Sequence, residues 1–319
     1  MTVELIAPHE VRRIAVLGSG TIGASWAALF LADGYAVTLQ DVADDAEGKA
    51  RAFVDSAWPA LERLGLAPGA DPGAMSFTKD PAEAVAESDF VQENVPERLP
   101  IKLALYRAIE PALRPHALVA TSTSGLLLTD LQQGFRDPSR LVLAHPFNPP
   151  HMVPLVELYA NEKTHPDALD WCDRFYTALG KVPIRLRKQV PGHIANRMQA
   201  ALIREAVHLA AEGVASVADI DKAITAGPGI RWPIIGPHMT SYLATGGAGV
   251  DVFWERYLPA FESWWADLGT PKLTPELVKT LVAGVEELCA GRSPQELAAE
   301  RDEMILRILT ARSGEDGET

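Results

Sequence analysis

Cysteine is scarce in this sequence. Cys172 and Cys289 are the only two, far apart and without a CxxC pair. This excludes a disulfide framework or a thiolate zinc site and fits a reducing, cytoplasmic setting. Basic residues are in deficit: 29 Lys and Arg stand against 42 Asp and Glu, for a formal charge of −13. Such an acidic chain repels phosphate backbones, so nucleic acid is not an expected partner, and an anionic ligand would need a local basic pocket. No apolar run is long enough for a membrane span. The stretch MTVELIAPHEVRRIAVLG lacks the charged, apolar and small-residue segments of a secretory signal. None of the eight histidines falls in an HxH or HExxH grouping, so no metal site is expected. Internal repeats and low-complexity tracts are also missing.

What is present reads as a two-domain globular chain. The 319 residues, 47% hydrophobic and 22% charged, exceed what one modest core would organise. Ile14 to Leu17 is a continuous apolar run of the kind buried in parallel sheets. Ile22, Trp26 and Leu29/Phe30 then recur at helical spacing, and Ala36 to Leu39 is a second short strand. Ala46, Ala50, Val54, Ala57, Leu61 and Leu64 mark an amphipathic helix, which the glycine- and proline-rich stretch Gly65 to Gly73 breaks. Further strands are expected at Phe90-Val91, Leu118 to Ala120 and Leu141 to Ala144, with helices between. This alternation predicts an α/β, doubly wound sheet. Beyond Arg187 the pattern turns helical, from Ile194 to Ala211 and onward, with breaks at Gly227-Pro228-Gly229 and Gly246 to Gly249 and a capping box at Ser216 to Asp219. The expected domains are 1–189, α/β, and 190–319, all-helical. The polar end SGEDGET reads as frayed.

Gly18-Ser19-Gly20-Thr21-Ile22-Gly23 is G-x-G-x-x-G between an expected strand and an expected helix. In that context the first glycine permits a tight turn, the second lets a pyrophosphate approach the backbone, and the third lets helix pack on strand. Thr21 and Ile22 open the helix whose N-terminal amides would meet the phosphates. Asp41 follows the second strand, 18 residues beyond Gly23. That is near the spacing at which a carboxylate accepts hydrogen bonds from the adenosine ribose. Residues 42–48 hold no Arg or Lys, and Asp44, Asp45 and Glu47 would repel a 2′-phosphate. NAD is therefore the expected cofactor, in preference to NADP.

Three elements fall at or just beyond strand ends, where open α/β sheets bind ligands. They are Ser122-Thr123-Ser124-Gly125, His145-Pro146-Phe147-Asn148-Pro149, and Glu157 within Pro154-Leu155-Val156-Glu157-Leu158. Oxidising an alcohol requires a group that takes the hydroxyl proton as hydride departs, and imidazole, with a reference pKa of about 6.5, suits that task. A carboxylate such as Glu157 on the other ring nitrogen would fix the tautomer, and Ser124 could bond the substrate oxygen. On spacing alone, a histidine at a strand end reads more readily as structural. A hydrolase reading finds no G-x-S-x-G elbow and leaves the glycine fingerprint unexplained.

Taken together, GSGTIG, QENVPERLPIK (92–102), TSTSGL, HPFNP, VEL and GHIANR (192–197) occur in order over nearly the whole chain. In this the sequence resembles the L-3-hydroxyacyl-CoA dehydrogenase superfamily. The resemblance implies a Rossmann-like domain followed by a helical domain that forms much of a homodimer interface. It implies His145 as general base with Glu157 as its partner, and Ser124 and Asn196 contacting the substrate hydroxyl. It places Glu93, Lys102 and Asn148 around the nicotinamide half of the cofactor. Acyl-CoA members usually read S-N-T-S-S at the serine motif and carry an aromatic residue after the histidine, where this chain has Ser122-Thr123-Ser124-Gly125 and Pro146. Between residues 44 and 73, Lys49, Arg51 and Arg63 face Asp44, Asp45, Glu47, Asp55, Glu62 and Asp71, a poor cradle for the CoA polyanion. The chain is more similar to the branch acting on free 3-hydroxy acids, carnitine and L-gulonate among their substrates, and most of all to its carnitine-oxidising members. A 3-hydroxybutyryl-CoA substrate, or a non-catalytic crystallin-like role, are the alternatives.

A free acid needs a cation. Arg231, after the glycine break in the helical half, is the candidate for a bidentate contact to the carboxylate, against a solvated surface role. Arg197 and Arg204 are the other candidates. Phe253, Tyr257, Phe261, Trp264 and Trp265 share one helix face, interrupted by Pro259. Although aromatic faces bind quaternary ammonium groups, core or dimer packing is the expected use.

Overall fold

The computed structural model describes residues 4–313; the expected frayed end beyond Ser313 lies outside them. Residues through Ile194 form one compact unit and those from Ala195 onward a second.

The first unit begins with β1 (Arg13–Leu17), α1 (Thr21–Ala32), β2 (Ala36–Gln40), α2 (Ala46–Leu64) and β3 (Met75–Thr78). It continues with α3 (Pro81–Val85), β4 (Phe90–Glu93), α4 (Leu99–Ile109), β5 (Leu118–Thr121) and α5 (Leu128–Leu131). Then come β6 (Leu141–Pro146), β7 (Leu155–Tyr159), α6 (Ala168–Ala178) and β8 (Val182–Arg185). The strands make one eight-stranded sheet in the order β3-β2-β1-β4-β5-β6-β7-β8. All neighbours are parallel except β6 and β7, which run antiparallel. This is the doubly wound sheet that the alternation predicts, extended by three strands that the sequence did not announce. β3 and β8 are four-residue edge strands with little periodicity, and β7 begins within a proline-flanked segment.

Both faces of the sheet are covered, which is why the central strands read as unbroken apolar runs. On one face α1 is buried all round from Gly23 to Ala32, and Trp26, Phe30, Phe90, Trp171, Phe175 and Tyr176 form a continuous aromatic cluster. On the other, Leu17, Val91, Tyr106, Val119, Leu131 and Leu143 pack together. Each fully buried large side chain here stabilises the fold by about 1.5–3 kcal/mol.

Two polar groups buried in the first core anchor the connection from β6 to β7. The Lys181 ammonium donates to the carbonyls of Pro150 and Val153 and lies 5.5 Å from the centre of the Trp26 ring. Burial lowers its pKa to about 7. Ser25 Oγ accepts from the His151 amide at 2.9 Å and lies 2.8 Å from the His151 ring Nδ1.

The second unit is built from α7 (Ala195–Ala211), α8 (Val217–Ala226), α9 (Pro237–Leu243), α10 (Val250–Asp267), α11 (Pro275–Cys289) and α12 (Pro294–Ser313). Ser216 caps α8 by accepting from the Asp219 amide at 3.0 Å, as its spacing predicts. The aromatic residues of α10 contact one another, Phe261 lying 5.7 Å from Phe253 and 5.6 Å from Trp265 between ring centres. Trp264 and Trp265 nonetheless remain exposed. On α11, Val278, Val282 and Val285 stand at i, i+4 and i+7 and are all exposed. Among the described residues, no helix is long and apolar enough to cross a membrane.

Candidate active site

The order of the strands reverses between β1 and β4, the switch point at which such sheets open a crevice beyond their carboxyl ends. Gly18 leaves β1 with φ at +84°, a conformation glycine adopts without penalty, and its amide donates to the Gln40 carbonyl at 2.8 Å. A Cβ on Gly23 would lie 1.8 Å from the Gly18 carbonyl oxygen, so α1 reaches its close packing on the turn only with glycine there. A Cβ on Gly20 would meet nothing within 4 Å. Gly20 therefore leaves space above the turn, and no side chain caps α1. The amides of Thr21, Ile22 and Gly23, in the first turn, have no carbonyl partner within α1, and the positive end of the helix dipole lies there, which suits an anion. These features fit a dinucleotide pyrophosphate.

Asp41 stands directly after β2. Burial raises its carboxyl, but hydrogen bonds from the Ser19 amide (2.8 Å), the Ser19 hydroxyl (2.9 Å) and the Ala43 amide (3.1 Å) outweigh that and lower its pKa. The carboxylate is thus held ionised at the lip of the turn. Lys79, just after β3, pairs with Asp44, as Lys49 does with Asp45 and Arg51 with Glu47, so these three acids of the rim each have a basic partner.

A cavity of about 290 Å³ opens beside the turn, lined by Ile22, Asn94, Val95, Pro96, Glu97, Lys102, Ser122, Ser124, His145 and Pro146. His145 reaches it from β6. The antiparallel register places Glu157 of β7 directly across from His145, and Glu157 Oε2 lies 2.9 Å from His145 Nδ1. Glu157 is fully buried and also accepts from the Ile194 amide at 2.8 Å. A carboxylate can only accept, so Nδ1 carries the hydrogen and Nε2 is the lone-pair nitrogen on the ring that lines the cavity.

The serine motif is held from below. Glu97 Oε1 accepts from the Thr123 hydroxyl at 2.6 Å and from the amides of Ser124 and Gly125, each at 2.9 Å. Burial raises the Glu97 carboxyl, while these bonds and the nearby Lys102 ammonium lower it further than burial lifts it. Ser122 donates to Asn94 at 2.7 Å. Lys102 is buried against Glu93 at 2.6 Å yet still lines the cavity. Glu93 has no place in the cavity wall. Its carboxylate accepts from Lys102, the Val95 amide, the Tyr106 hydroxyl and the Thr121 hydroxyl.

His145, Ser124, Lys102 and Ile22 thus line one space, with Glu157 buried against His145. Asn148 is exposed in the connection after β6 and is not among the lining residues. Asn196 is the second residue of α7, and Arg231 is an exposed residue following a short helical turn, Pro228–Ile230. Both belong to the second unit. Glu97, Asn94 and Ser122 were not singled out from the sequence. The acid following Val95-Pro96 in QENVPERLPIK is the only mark Glu97 left there. Among the described residues, no three His, Cys, Asp or Glu side chains cluster as metal ligands.

A glycine turn with free helix amides, an acid at the next strand, and a carboxylate-held imidazole at the end of the same sheet define a nicotinamide-dependent dehydrogenase of alcohols. The chain belongs to the 3-hydroxyacyl-CoA dehydrogenase family: residues 13–190 match its NAD binding domain and residues 192–285 its C-terminal domain. NAD is its cofactor. The chain is 46% identical over 307 residues to an L-carnitine dehydrogenase of Streptomyces coelicolor, covering 96% of each protein. It is 47% identical over 305 residues to an L-carnitine dehydrogenase of Streptomyces griseus, covering 96% of this chain and 91% of that protein. Among solved structures it is similar to a 5-formyl-3-hydroxy-2-methylpyridine 4-carboxylic acid 5-dehydrogenase, described as an NAD+ dependent dismutase. That match has a TM-score of 0.80 and 33% identity, covering 97% of this chain and all of the other.

Proposed function

We propose that this protein oxidises the 3-hydroxyl of L-carnitine to the ketone, working in the cytoplasm as a homodimer. The observation that carries the chemistry is the His145–Glu157 pair, 2.9 Å apart on adjacent strands beside the cofactor turn. The relatives that share nearly its whole length supply the substrate. NAD, when bound, supplies the hydride acceptor. Gly18, Gly20, Thr21, Ile22 and Gly23 would hold its pyrophosphate and Asp41 its adenosine ribose. Lys102 and Asn148 would approach the nicotinamide half, with Glu93 acting through Lys102.

His145 Nε2 takes the hydroxyl proton as the C–H bond breaks, and buried Glu157 stabilises the imidazolium that forms. Ser124 holds the same hydroxyl, its backbone fixed by Glu97. Asn196 is a further candidate for a contact to the substrate hydroxyl. Arg231 is the cation assigned to the carboxylate of the substrate. The dimer assignment draws on the exposed apolar residues of the second unit, above all the valines of α11.

The test is direct. Purified protein is mixed with NAD and, separately, L-carnitine, L-gulonate and 3-hydroxybutyryl-CoA, and NADH absorbance is followed. Turnover with L-carnitine at a kcat/KM at least tenfold above the other two is expected. Preference for the CoA thioester would overturn the free-acid reading. No turnover with any of the three, despite NAD binding, would overturn the assignment.

A further inference from the structure

Three consecutive residues at the end of the first unit each grip a different part of the site. The Gly192 amide donates to the Ser124 carbonyl at 3.2 Å, and the Ile194 amide donates to Glu157 Oε1 at 2.8 Å. Between them, His193 Nε2 lies 3.0 Å from the carbonyl oxygen of Thr123. A carbonyl oxygen only accepts, so Nε2 carries the hydrogen and Nδ1 is a bare acceptor. That Nδ1 is buried without a hydrogen-bond partner. The His193 ring is wholly buried, with its centre 5.0 Å from that of His145 and its plane tilted by 59°. Its backbone sits at φ +47°, in the left-handed region that is uncommon for any residue but glycine.

A ring that only filled space would not bring an unsatisfied nitrogen into the core, since a phenyl group fills the same volume without one. The left-handed backbone is a second unfavourable feature at the same residue. Both are tolerated at the point where the serine motif, the imidazole and its carboxylate meet. We propose that His193 is a positioning residue for the dehydrogenase reaction. Its Nε2–H fixes the Thr123 carbonyl, and through it Ser124, at a set distance from His145. The inference rests on the assignment of His145 as base and Ser124 as the hydroxyl contact. Displacing reacting groups by about 1 Å is enough to cost up to about a hundredfold in rate, so a single misplaced carbonyl is visible in kinetics.

Two substitutions separate the donor from the ring. His193→Phe keeps the ring and removes the donor, whereas His193→Gln returns an N–H at the reach of Nε2 without the ring. With NAD and whichever of the three substrates turns over, H193F is expected to lower kcat at least tenfold. KM for NAD should stay within threefold, and H193Q should recover to within threefold of wild type. An H193F enzyme within twofold of wild type, or an H193Q enzyme as impaired as H193F, overturns the proposal. If H193F does not fold, H193M serves as the donor-free variant under the same criterion. Long-range 15N spectra of the cofactor-free protein give a readout apart from turnover: the Nε2–H tautomer is expected at His193, and the Nδ1–H tautomer overturns the proposal. His145→Gln, run in parallel, keeps the two levels apart. An active H145Q removes the base assignment itself, whereas an inactive H145Q beside a full-strength H193F removes only the role of His193.

Discussion

At the level of single side chains, His145→Gln isolates the proton step. General-base catalysis contributes about 10²–10⁴-fold, so kcat should fall by that order while NAD binding, followed by fluorescence titration, stays unchanged. Arg231→Ala addresses the substrate carboxylate. A hydrogen bond to a charged group is worth about 1.5–3 kcal/mol, so KM for L-carnitine should rise about 10- to 100-fold with kcat nearly constant, and an unchanged KM would reject the contact. Lys181 supplies a pH effect. Burial depresses its folded-state pKa to about 7, below the value of about 10.4 expected for an unfolded lysine. The folded state therefore binds fewer protons between those two values. The stability linked to this group is fully present above about pH 10 and is lost as pH falls through 7. The melting temperature of wild type minus that of Lys181→Met should accordingly climb between pH 7 and pH 9; a flat difference would refute the shift. The sequence offered no sign of Lys181 or Glu97 as anchors, because both act on backbone groups that a linear reading does not bring near them. His145, Ser124 and Glu157 could be read, but their roles depended on family motifs and not on spacing.

Among the elements, the β1–turn–α1–β2 unit was the most legible. Apolar run, glycine spacing and a following acid are all local features, and each is governed by steric rules that do not require the rest of the fold. The glycines permit a prediction that separates folding from binding. Gly23→Ala would force a Cβ to 1.8 Å from the Gly18 carbonyl oxygen, so the turn must shift. The variant should melt earlier, by roughly 1–3 kcal/mol of stability or more, and lose NAD affinity. Gly20→Ala meets no atom within 4 Å. It should keep a wild-type melting temperature and lose NAD affinity alone, because the added methyl group occupies the approach of the pyrophosphate. Equal melting losses in the two variants would contradict this geometry. The pairing of His145 with Glu157 was expected from the family motifs, but its geometry could not be derived from local pattern, for the opposite reason. It depends on the register of an antiparallel pair whose second strand had no recognisable alternation.

For the whole molecule, the contrast lies between a first unit with two closed cores and a second unit with exposed apolar side chains on several helices. If α11 belongs to a contact between copies, Val282→Glu should convert a dimer into a monomer in light scattering at micromolar concentration while helical circular dichroism is retained. A wild-type monomer would reject the dimer assignment. Two domains could be inferred from the change in composition after Arg187, but where the first unit ends is decided by the bonds of residues 192–194 back to Ser124, Thr123 and Glu157, which no composition reports. The antiparallel β6–β7 pair carries one more consequence. Strand β8 is one of the two edges of the sheet, β3 being the other, and β7 lies next to it, so local opening from that edge reaches β7 before the central strands. When β7 loosens, His145 loses the carboxylate that sets its tautomer, although the central strands and the cofactor turn stay intact. Catalysis is thereby tied to a strand near one margin of the sheet and not to its centre. In a urea series, turnover should vanish at concentrations where far-ultraviolet circular dichroism still reports a folded molecule.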